Sequence, residues 1–300
     1  MENKKNNNRL KEGILYGIGA YGLWGILPVY WKQIHHVPAL EILANRFIWS
    51  AVFVFLILYF TGRLERFRKE TKETFSNWQS GVRMVAASVM VFFNWGIYIW
   101  AVEDGRILET ALGYYINPLL SVVLAVVFLK EWLNRLEWLS VFLAFCGISS
   151  MVVKTGYLPW VSLVVPSTFA IYGLLKKCIP VSPFTSTMLE TLIMLPFMLG
   201  YLIYLWLQGN NAFQLYDGIT ILYLVGCGIV TAIPLLFFAA CTQCLPLNMV
   251  GFMQYLSPTL SMLIGVLLYD EAFTVAHMWT FGMIWLGLGF FSYSQYRKML

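Results

Sequence analysis

Apolar and polar positions along the chain fall into long separate blocks. Each apolar block is close to the roughly 20 residues that a helix needs to cross a hydrocarbon layer about 30 Å thick. The pattern therefore predicts an all-α integral membrane protein with ten transmembrane helices, most of them joined by short connections. The predicted spans cover residues 13–31, 41–60, 84–102, 107–129, 136–153, 157–175, 184–207, 219–241, 247–269 and 276–296.

The composition and the two termini agree with this prediction. Of the 300 residues, 59% are hydrophobic and only 12% are charged, whereas about a quarter of the residues of a soluble domain are charged. The polar tail 1–12 leads directly into the first span without a small-residue cleavage pattern, so this span is expected to be retained. Residues 297–300 form a second polar tail.

The basic residues predict the orientation of the spans. With the N-terminus in the cytoplasm, most of the 20 lysines and arginines fall on the cytoplasmic side, many of them in the linker 62–83. The positive-inside rule therefore favours ten spans with both termini in the cytoplasm. This bias accounts for the net charge of +5, and no nucleic-acid partner is indicated. The linker is either a solvated topology determinant or a segment lying on anionic lipid.

The two halves of the chain resemble each other. A shift of 140 residues lays YYINPLLSVVLAVVFLKE over QYLSPTLSMLIGVLLYDE without gaps, and pairs Gly147 with Gly287. A shift of 145 residues lays Asn45 over Glu190. Each half, 13–153 and 157–296, holds five predicted spans, so the second half must enter the membrane from the opposite face. Inverted repeats of this kind are typical of secondary transporters.

Two prolines interrupt matching spans near the middle of the membrane. Pro118 follows Asn117 in span four, and Pro258 occupies the equivalent position in span nine. A proline removes one backbone donor from a helix, and the carbonyl left without a partner must be satisfied by protein or by water in a cavity. The pattern predicts two kinked helices that face each other across a central cavity. Packing kinks, with Asn117 bonded to a neighbouring helix, are the alternative.

Three of the charged residues within the predicted spans are candidates for coupling or gating. Arg46 needs a partner or water at its depth, and Glu109 is the nearest carboxylate by depth, either as a structural ion pair or as part of a binding or gating site. Glu190 has no obvious cation at its depth in the sequence. An isolated carboxylate in an apolar environment would suit proton coupling, and a neutral acid bonded to a neighbouring helix is the alternative.

Aromatic and polar side chains near the middle of several spans form a candidate substrate cavity. Small-molecule pockets are mostly apolar and aromatic, with a few polar anchors. Since 17% of all residues are aromatic, each ring taken singly is also consistent with packing. The candidates are Trp24, Asn94, Trp95, Tyr115, Asn117, Tyr172, Gln254 and Tyr255.

The cysteines and histidines do not indicate a metal or a cofactor. The five cysteines are odd in number, and the Cys241–Cys244 pair has no second pair of suitable spacing. The three histidines, His35, His36 and His277, lie at one predicted face of the membrane, without a supporting carboxylate motif. No metal site, disulfide framework or cofactor is therefore predicted.

Several longer motifs resemble the EamA-type branch of the drug/metabolite transporter superfamily, and within it the RarD-type proteins. They include AYGLWGILPVYWK, VPALEILANRFIWS, FFNWGIYIWAV, LETALGYYINPLL, FAIYGLLKK, LETLIMLPF, GIVTAIPLLFF and GFMQYLSPTL. The resemblance implies two inverted five-helix repeats in the bacterial cytoplasmic membrane and the transport, usually export, of small metabolites or drugs. It implies a cavity lined by spans one, three, four, six, eight and nine, which leaves Arg46 and Glu190 outside.

The predicted function is that of a secondary transporter working by alternating access. The chain has no GxxxxGK[ST] motif, so an ion gradient or the substrate's own gradient is the expected source of energy. The expected partners are a small-molecule substrate, membrane lipid and protons as the candidate coupling ion, with a monomer and a homodimer both open. An integral membrane enzyme acting on lipid and a channel are the alternative functions.

Overall fold

A computed structural model describes residues 2–103, 107–155, 160–269 and 275–299. These residues are helical almost throughout and contain no strand, which confirms the all-α prediction. A short 3-10 helix, Lys32–Ile34, follows the first helix. The α-helices are α1 (Glu2–Trp31), α2 (Ala39–Phe60), α3 (Leu64–Ser76), α4 (Trp78–Glu103), α5 (Ile107–Phe128), α6 (Arg135–Thr155), α7 (Val161–Lys177), α8 (Pro183–Leu207), α9 (Ala212–Leu215), α10 (Gly218–Cys244), α11 (Leu247–Met253), α12 (Leu256–Tyr269) and α13 (Val275–Met299).

Several of these helices are long and apolar enough to cross a membrane. Among the described residues there are six such segments, and Gly113–Phe128 is a shorter apolar helix. The helices α6, α7 and α13 occupy three more of the predicted spans. The protein is therefore a multi-pass membrane protein. The six segments are Arg9–Ile34, Ala39–Phe60, Trp78–Ala101, Pro183–Leu215, Gly218–Cys244 and Leu247–Leu268.

The polar linker between the second and third predicted spans contains helix α3. Its Glu70 carboxylate accepts hydrogen bonds from the backbone N–H of Ser182, at 3.1 Å, and from the Ser182 hydroxyl, at 2.6 Å. Ser182 is the N-cap of α8, so the linker is anchored to the start of that helix. Partial burial alone would raise the pKa of Glu70, but the hydrogen bonds from Ser182, Thr185 and Arg66 outweigh it and lower this pKa.

The two proline-containing spans differ in their backbone. Helix α5 continues through Pro118. The matching span is broken at Gln254 and Tyr255, between α11 and α12, and Pro258 lies in the first turn after the break. A Cβ atom added to Gly251 would lie 3.1 Å from the Pro118 carbonyl oxygen, so α11 and α5 approach closely at this level.

The helix contacts are nearly symmetric when the two halves of the chain are exchanged. Helix α1 packs on α10 as α7 packs on α4, and α5 packs on α7 as α12 packs on α1. Likewise, α2 packs on α10 as α8 packs on α4. The contacts between α2 and α8, between α5 and α11, and between α6 and α13 each join a helix to its counterpart.

Glycines at equivalent positions bring α6 and α13 together. A Cβ atom at Gly147 would lie 3.0 Å from the Thr280 carbonyl oxygen, and one at Gly287 would lie 2.9 Å from the Ser140 carbonyl oxygen. The Thr280 hydroxyl also donates a hydrogen bond of 3.1 Å to the Gly147 carbonyl. Both pairs follow the shift of 140 residues found in the sequence. Small residues of this kind let helix backbones approach within a membrane.

Candidate functional site

Aromatic rings from α1, α7 and α10 form the centre of the molecule. The rings of Tyr172 and Phe238 are stacked with centroids 5.5 Å apart, and Trp24 lies 5.7 Å from Phe238. Trp24 also meets Phe169 edge-on at 5.8 Å. The structure thus brings together two of the sequence-predicted cavity residues, Trp24 and Tyr172. Sequence analysis missed Phe169 and Phe238, since nothing distinguishes them from the many other aromatic residues.

Several buried polar atoms of α1, α5 and the broken span make no hydrogen bond with the described residues. One of them belongs to Tyr21, whose ring packs against Trp24 and Phe238. The Gln254 side chain donates a hydrogen bond of 3.0 Å to the Ser121 hydroxyl, which joins the broken span to α5. Its own oxygen has no partner. Buried polar atoms are usually hydrogen-bonded, so such groups are places for water or a bound ligand. The buried side-chain oxygens of α1, α5 and the broken span without a partner among the described residues are Tyr21 Oη, Asn117 Oδ1, Asn248 Oδ1, Gln254 Oε1 and Tyr255 Oη.

Two other predicted cavity residues make contacts between helices. The Asn94 amide donates to the Val165 carbonyl, at 2.7 Å, and to the Thr168 hydroxyl, at 3.1 Å, and so joins α4 to α7. The ring of Tyr115 packs edge-on against Phe281 of α13, with centroids 5.2 Å apart. Both side chains are buried. Their contacts hold helices of the two halves together.

Glu190 has a cation partner, which corrects the expectation of an isolated carboxylate. Lys176 Nζ lies 2.6 Å from Glu190 Oε1, and both side chains are almost fully buried. The Tyr172 hydroxyl donates to Glu190 Oε2 at 3.0 Å, and the Ser186 hydroxyl donates to Glu190 Oε1 at 3.2 Å. A buried carboxylate with a cation and two hydroxyl donors is well satisfied. The predicted span 157–175 ended just before Lys176 and Lys177, so both lysines were expected in the loop that follows it.

Arg46 lies among aromatic rings. Its guanidinium carbon is 4.1 Å from the centroid of the Trp95 ring and 4.9 Å from that of Trp31. Its Nε donates a hydrogen bond of 3.1 Å to the Thr231 hydroxyl of α10. No carboxylate is paired with Arg46 among the described residues. The side chain of Glu109, its expected partner, lies outside the described residues.

Near the C-terminal end of α7, polar contacts connect α7, α11 and the segment after α5. The Glu131 carboxylate accepts hydrogen bonds from the backbone N–H groups of Leu247, at 2.7 Å, and Asn248, at 2.8 Å. It thereby caps the N-terminus of α11. Lys177 Nζ donates to the Leu245 carbonyl. The sequence signal for Glu131 was its match with Glu271 under the shift of 140 residues.

His35 and His36 lie together in the turn that follows the 3-10 helix. Among residues 2–103, 107–155, 160–269 and 275–299, no three His, Cys, Asp or Glu side chains lie together in a way that would hold a metal ion. His36 Nε2 lies 3.2 Å from the Thr220 hydroxyl, and the His35 and His36 rings meet edge-on at 5.7 Å. The side chain of His277 lies outside the described residues.

Comparisons with known proteins agree with this architecture. The EamA-like transporter family matches residues 11–153 and 158–293. The chain is 40% identical over 289 residues to the uncharacterized transporter YojE of Bacillus subtilis (strain 168), covering 96% of this chain and 95% of the relative. It is 37% identical over 286 residues to the protein RarD of Escherichia coli (strain K12), covering 94% of each. A protein crystal structure with 18% identity superposes with a TM-score of 0.73 over 94% of this chain and 97% of the other, and has the same fold.

Proposed function

We propose that this membrane transporter, which belongs to the EamA-like transporter family, moves a small metabolite or drug across the bacterial cytoplasmic membrane by alternating access. Ten transmembrane helices in two inverted five-helix repeats would carry out the movement, with both termini in the cytoplasm and export as the direction. The energy comes from an ion gradient or from the substrate's own gradient.

The observation that carries the proposal is the exchange symmetry of the helix contacts. Helices of one half pack on the other half in the same pairs when the halves are swapped. The glycine contacts at Gly147 and Gly287 repeat the same geometry on α6 and α13. Two repeats related in this way have two equivalent arrangements of similar energy, one open to each side, which is the basis of alternating access.

The substrate site of this proposal lies between the halves, where the aromatic cluster meets the unsatisfied polar atoms. Trp24, Tyr172 and Phe238 supply flat apolar surface. Asn117 and Gln254 supply amide oxygens that lack protein partners. An apolar wall with a few polar anchors is the usual composition of a small-molecule pocket. The break in the span at Gln254 and Tyr255 also supports the proposal, because interrupted helices line the binding sites of many secondary transporters.

Glu190 is proposed as a gating residue through its pair with Lys176. This pair joins α7 to α8 on the side where Glu131 caps α11. Opening this side would move α7 relative to α8 and exchange these contacts for water. Protonation of Glu190 would weaken the pair and favour opening, so protons are the candidate coupling ion.

Transport by purified protein in proteoliposomes tests the proposal. A panel of amino acids and small aromatic antimicrobials would be loaded with and without a pH gradient, for wild type and Glu190→Gln. The matched control is Glu73→Gln on the exposed surface of α3, where the Glu73 side chain is 63% exposed. Saturable flux of at least one compound supports a carrier, and flux proportional to concentration without saturation indicates a channel.

The same measurement separates the coupling role from the carrier role. Flux that rises with the pH gradient in wild type and in Glu73→Gln, but not in Glu190→Gln, supports proton coupling through Glu190. Saturable flux that is indifferent to the gradient in all three proteins removes Glu190 from the coupling path and leaves the carrier standing. The absence of flux for every compound would contradict the proposed substrate class.

A further inference from the structure

The surroundings of Arg46 differ from those of Lys176, the buried lysine of α7. Lys176 has the Glu190 carboxylate at 2.6 Å, whereas the described residues offer Arg46 only aromatic rings and the Thr231 hydroxyl. A charge within a span is costly without a partner or water. Cation–π contacts with Trp31 and Trp95 recover part of this cost but do not neutralise the charge.

The guanidinium keeps two nitrogen atoms available. Nε is engaged by Thr231 Oγ1 at 3.1 Å, and neither Nη1 nor Nη2 makes a hydrogen bond or ion pair with the described residues. The two Nη groups of arginine are donors in a planar fork that matches the two oxygens of a carboxylate. The rings and Thr231 restrict the orientation of the guanidinium, so the fork is ordered before a ligand arrives.

Further aromatic residues lie near the Arg46 guanidinium. Arg46 is only partly buried, although it lies near the middle of α2. Tyr98 and Tyr114 lie close enough to interact electrostatically with it, and their rings meet at 5.6 Å. Tyr114 is 40% exposed.

Equivalent positions near Arg46 in the first repeat and near Glu190 in the second repeat hold different residues. The shift of 145 residues that lays Asn45 over Glu190 also lays Trp31 over Lys176. In the second half these two positions hold a cation and its anion. In the first half the position of the anion is the neutral Asn45, which is engaged locally with the Glu41 carbonyl and the Trp49 ring nitrogen. Among the residues that the structure describes, the first half thus has a cation, Arg46, with no carboxylate paired to it.

We propose that Arg46, with Trp31, Trp95, Tyr98 and Tyr114, forms a binding site for the carboxylate of a small aromatic or apolar organic acid. The inference rests on the proposed transport function and names its substrate class as organic carboxylates. The acid group pairs with the Nη fork, and the rings contact the organic body. Binding replaces water at the fork with an anion and neutralises the charge.

Isothermal titration calorimetry of the purified protein in nanodiscs tests this site without a transport assay. The probes are benzoate and phenylacetate, and benzamide and phenylacetamide are their neutral counterparts of nearly equal shape. In wild type, each acid is expected to bind at least ten-fold more tightly than its amide. In Arg46→Gln, the acids are expected to bind at least ten-fold more weakly than in wild type, with the amides unchanged.

Further variants keep the test decisive. Thr231→Val retains the guanidinium but removes the hydroxyl that orients Nε, so it should weaken acid binding less than Arg46→Gln does. Glu73→Gln, on the exposed surface of α3, should leave acid binding unchanged. Arg46→Lys retains the charge but not the fork, so its preference should be intermediate. Equal affinity of wild type for acids and amides, no binding of any acid, or unchanged acid binding in a folded Arg46→Gln protein would overturn the site.

Flux of the same probes in proteoliposomes separates this inference from the proposed function. Acid binding that depends on Arg46, without flux of any compound, would leave the anion site standing and contradict the transport function. Saturable flux of neutral compounds, without preference for acids in binding or flux, would leave transport standing and contradict the anion site.

Discussion

Lys176 and Lys177 are neighbours at the end of α7, but their surroundings differ. Lys176 points into the protein and pairs with Glu190, and only 2% of the residue is exposed. Lys177 is partly exposed and donates to the Leu245 carbonyl. Two consecutive residues of a helix point about 100° apart, so one can face the protein interior while the next faces the membrane surface. Two adjacent lysines at the end of a span therefore do not show from the sequence which of them is buried.

Removal of Lys176 alone should be strongly destabilising. We expect Lys176→Met to lower the free energy of unfolding by about 3–5 kcal/mol, because the Glu190 carboxylate would remain buried without its cation. The double variant Lys176→Met with Glu190→Gln should recover most of this loss, since no buried charge would be left unpaired. Denaturant titration in detergent micelles, followed by circular dichroism, measures both.

Lys69→Met is the matched control for this pair. Its side chain is 77% exposed and lies 3.9 Å from Glu73, so its removal should change the free energy of unfolding by no more than about 0.5 kcal/mol. A loss of less than about 1 kcal/mol in Lys176→Met would mean that the pair is not ionised or that water replaces the lysine.

Some residues of the candidate site can be recognised from the sequence of their own span, and others can be identified only from contacts with other helices. Pro118 could be found from the sequence, because a proline stands out within an apolar span. Phe169 and Phe238 could not be told from the many other aromatic residues. The partners of Arg46 and Glu190 could not be found either, since they lie on other helices. Glu109 was chosen for Arg46 by depth alone, and its side chain lies outside the described residues, so this pairing stays a prediction. Among the described residues, Trp31 and Trp95 lie against Arg46.

At the scale of helices, the close crossing of α6 and α13 depends on glycine. We expect Gly287→Ala to lower the free energy of unfolding by about 1–3 kcal/mol, because its Cβ would lie 2.9 Å from the Ser140 carbonyl oxygen and the backbones would have to separate. Denaturant titration of the variant in detergent micelles measures this loss.

Gly289→Ala in the same helix is the control for Gly287→Ala. No atom lies within 4 Å of a Cβ at Gly289. Alanine is favoured over glycine within a helix by about 0.5–1 kcal/mol, so this variant should be as stable as wild type or slightly more stable. Equal stability of the two variants would show that α6 and α13 can separate without cost, and would contradict the packing role of Gly287.

The positions of the spans could be predicted from the sequence, but the residues at which the ninth span is interrupted could not. The long apolar blocks located the spans, because the need to cover the hydrocarbon layer sets their length. The break in the ninth predicted span was expected at Pro258, but the helix is interrupted at Gln254 and Tyr255. A proline is tolerated in the first turn of a helix, where its missing N–H has no helical partner. The interruption therefore lies before the proline.

At the scale of the whole molecule, the two halves share turns as well as contacts. Helices α2 and α8 each end at a glycine with positive φ, +66° at Gly62 and +70° at Gly209. In both turns the residue after the glycine donates its N–H five residues back, Arg63 to Leu58 and Asn210 to Leu205. The sequence shifts revealed the repeat through identical residues at equivalent positions. The residues that flank Gly62 differ from those that flank Gly209, so these two turns are related only by their structure.

The equivalent turns give a direct test of the inverted topology. Thr61 and Gln208 are exposed and stand directly before these glycines. In a protein whose five native cysteines are replaced by alanine, Thr61→Cys and Gln208→Cys should face opposite sides of the membrane. With both termini in the cytoplasm, a maleimide that cannot cross the membrane should label Gln208→Cys in intact cells and Thr61→Cys only after permeabilisation.

The labelling pattern tests the repeat and its orientation separately. Opposite accessibility follows from two five-helix repeats, because an odd number of spans inverts the second copy. Which of the two sites is labelled in intact cells follows from the excess of lysine and arginine on one side. Labelling of both cysteines from the same side would contradict the inverted repeat. Labelling of Thr61→Cys alone in intact cells would keep the repeat, place the termini outside, and show that the basic residues do not set the orientation.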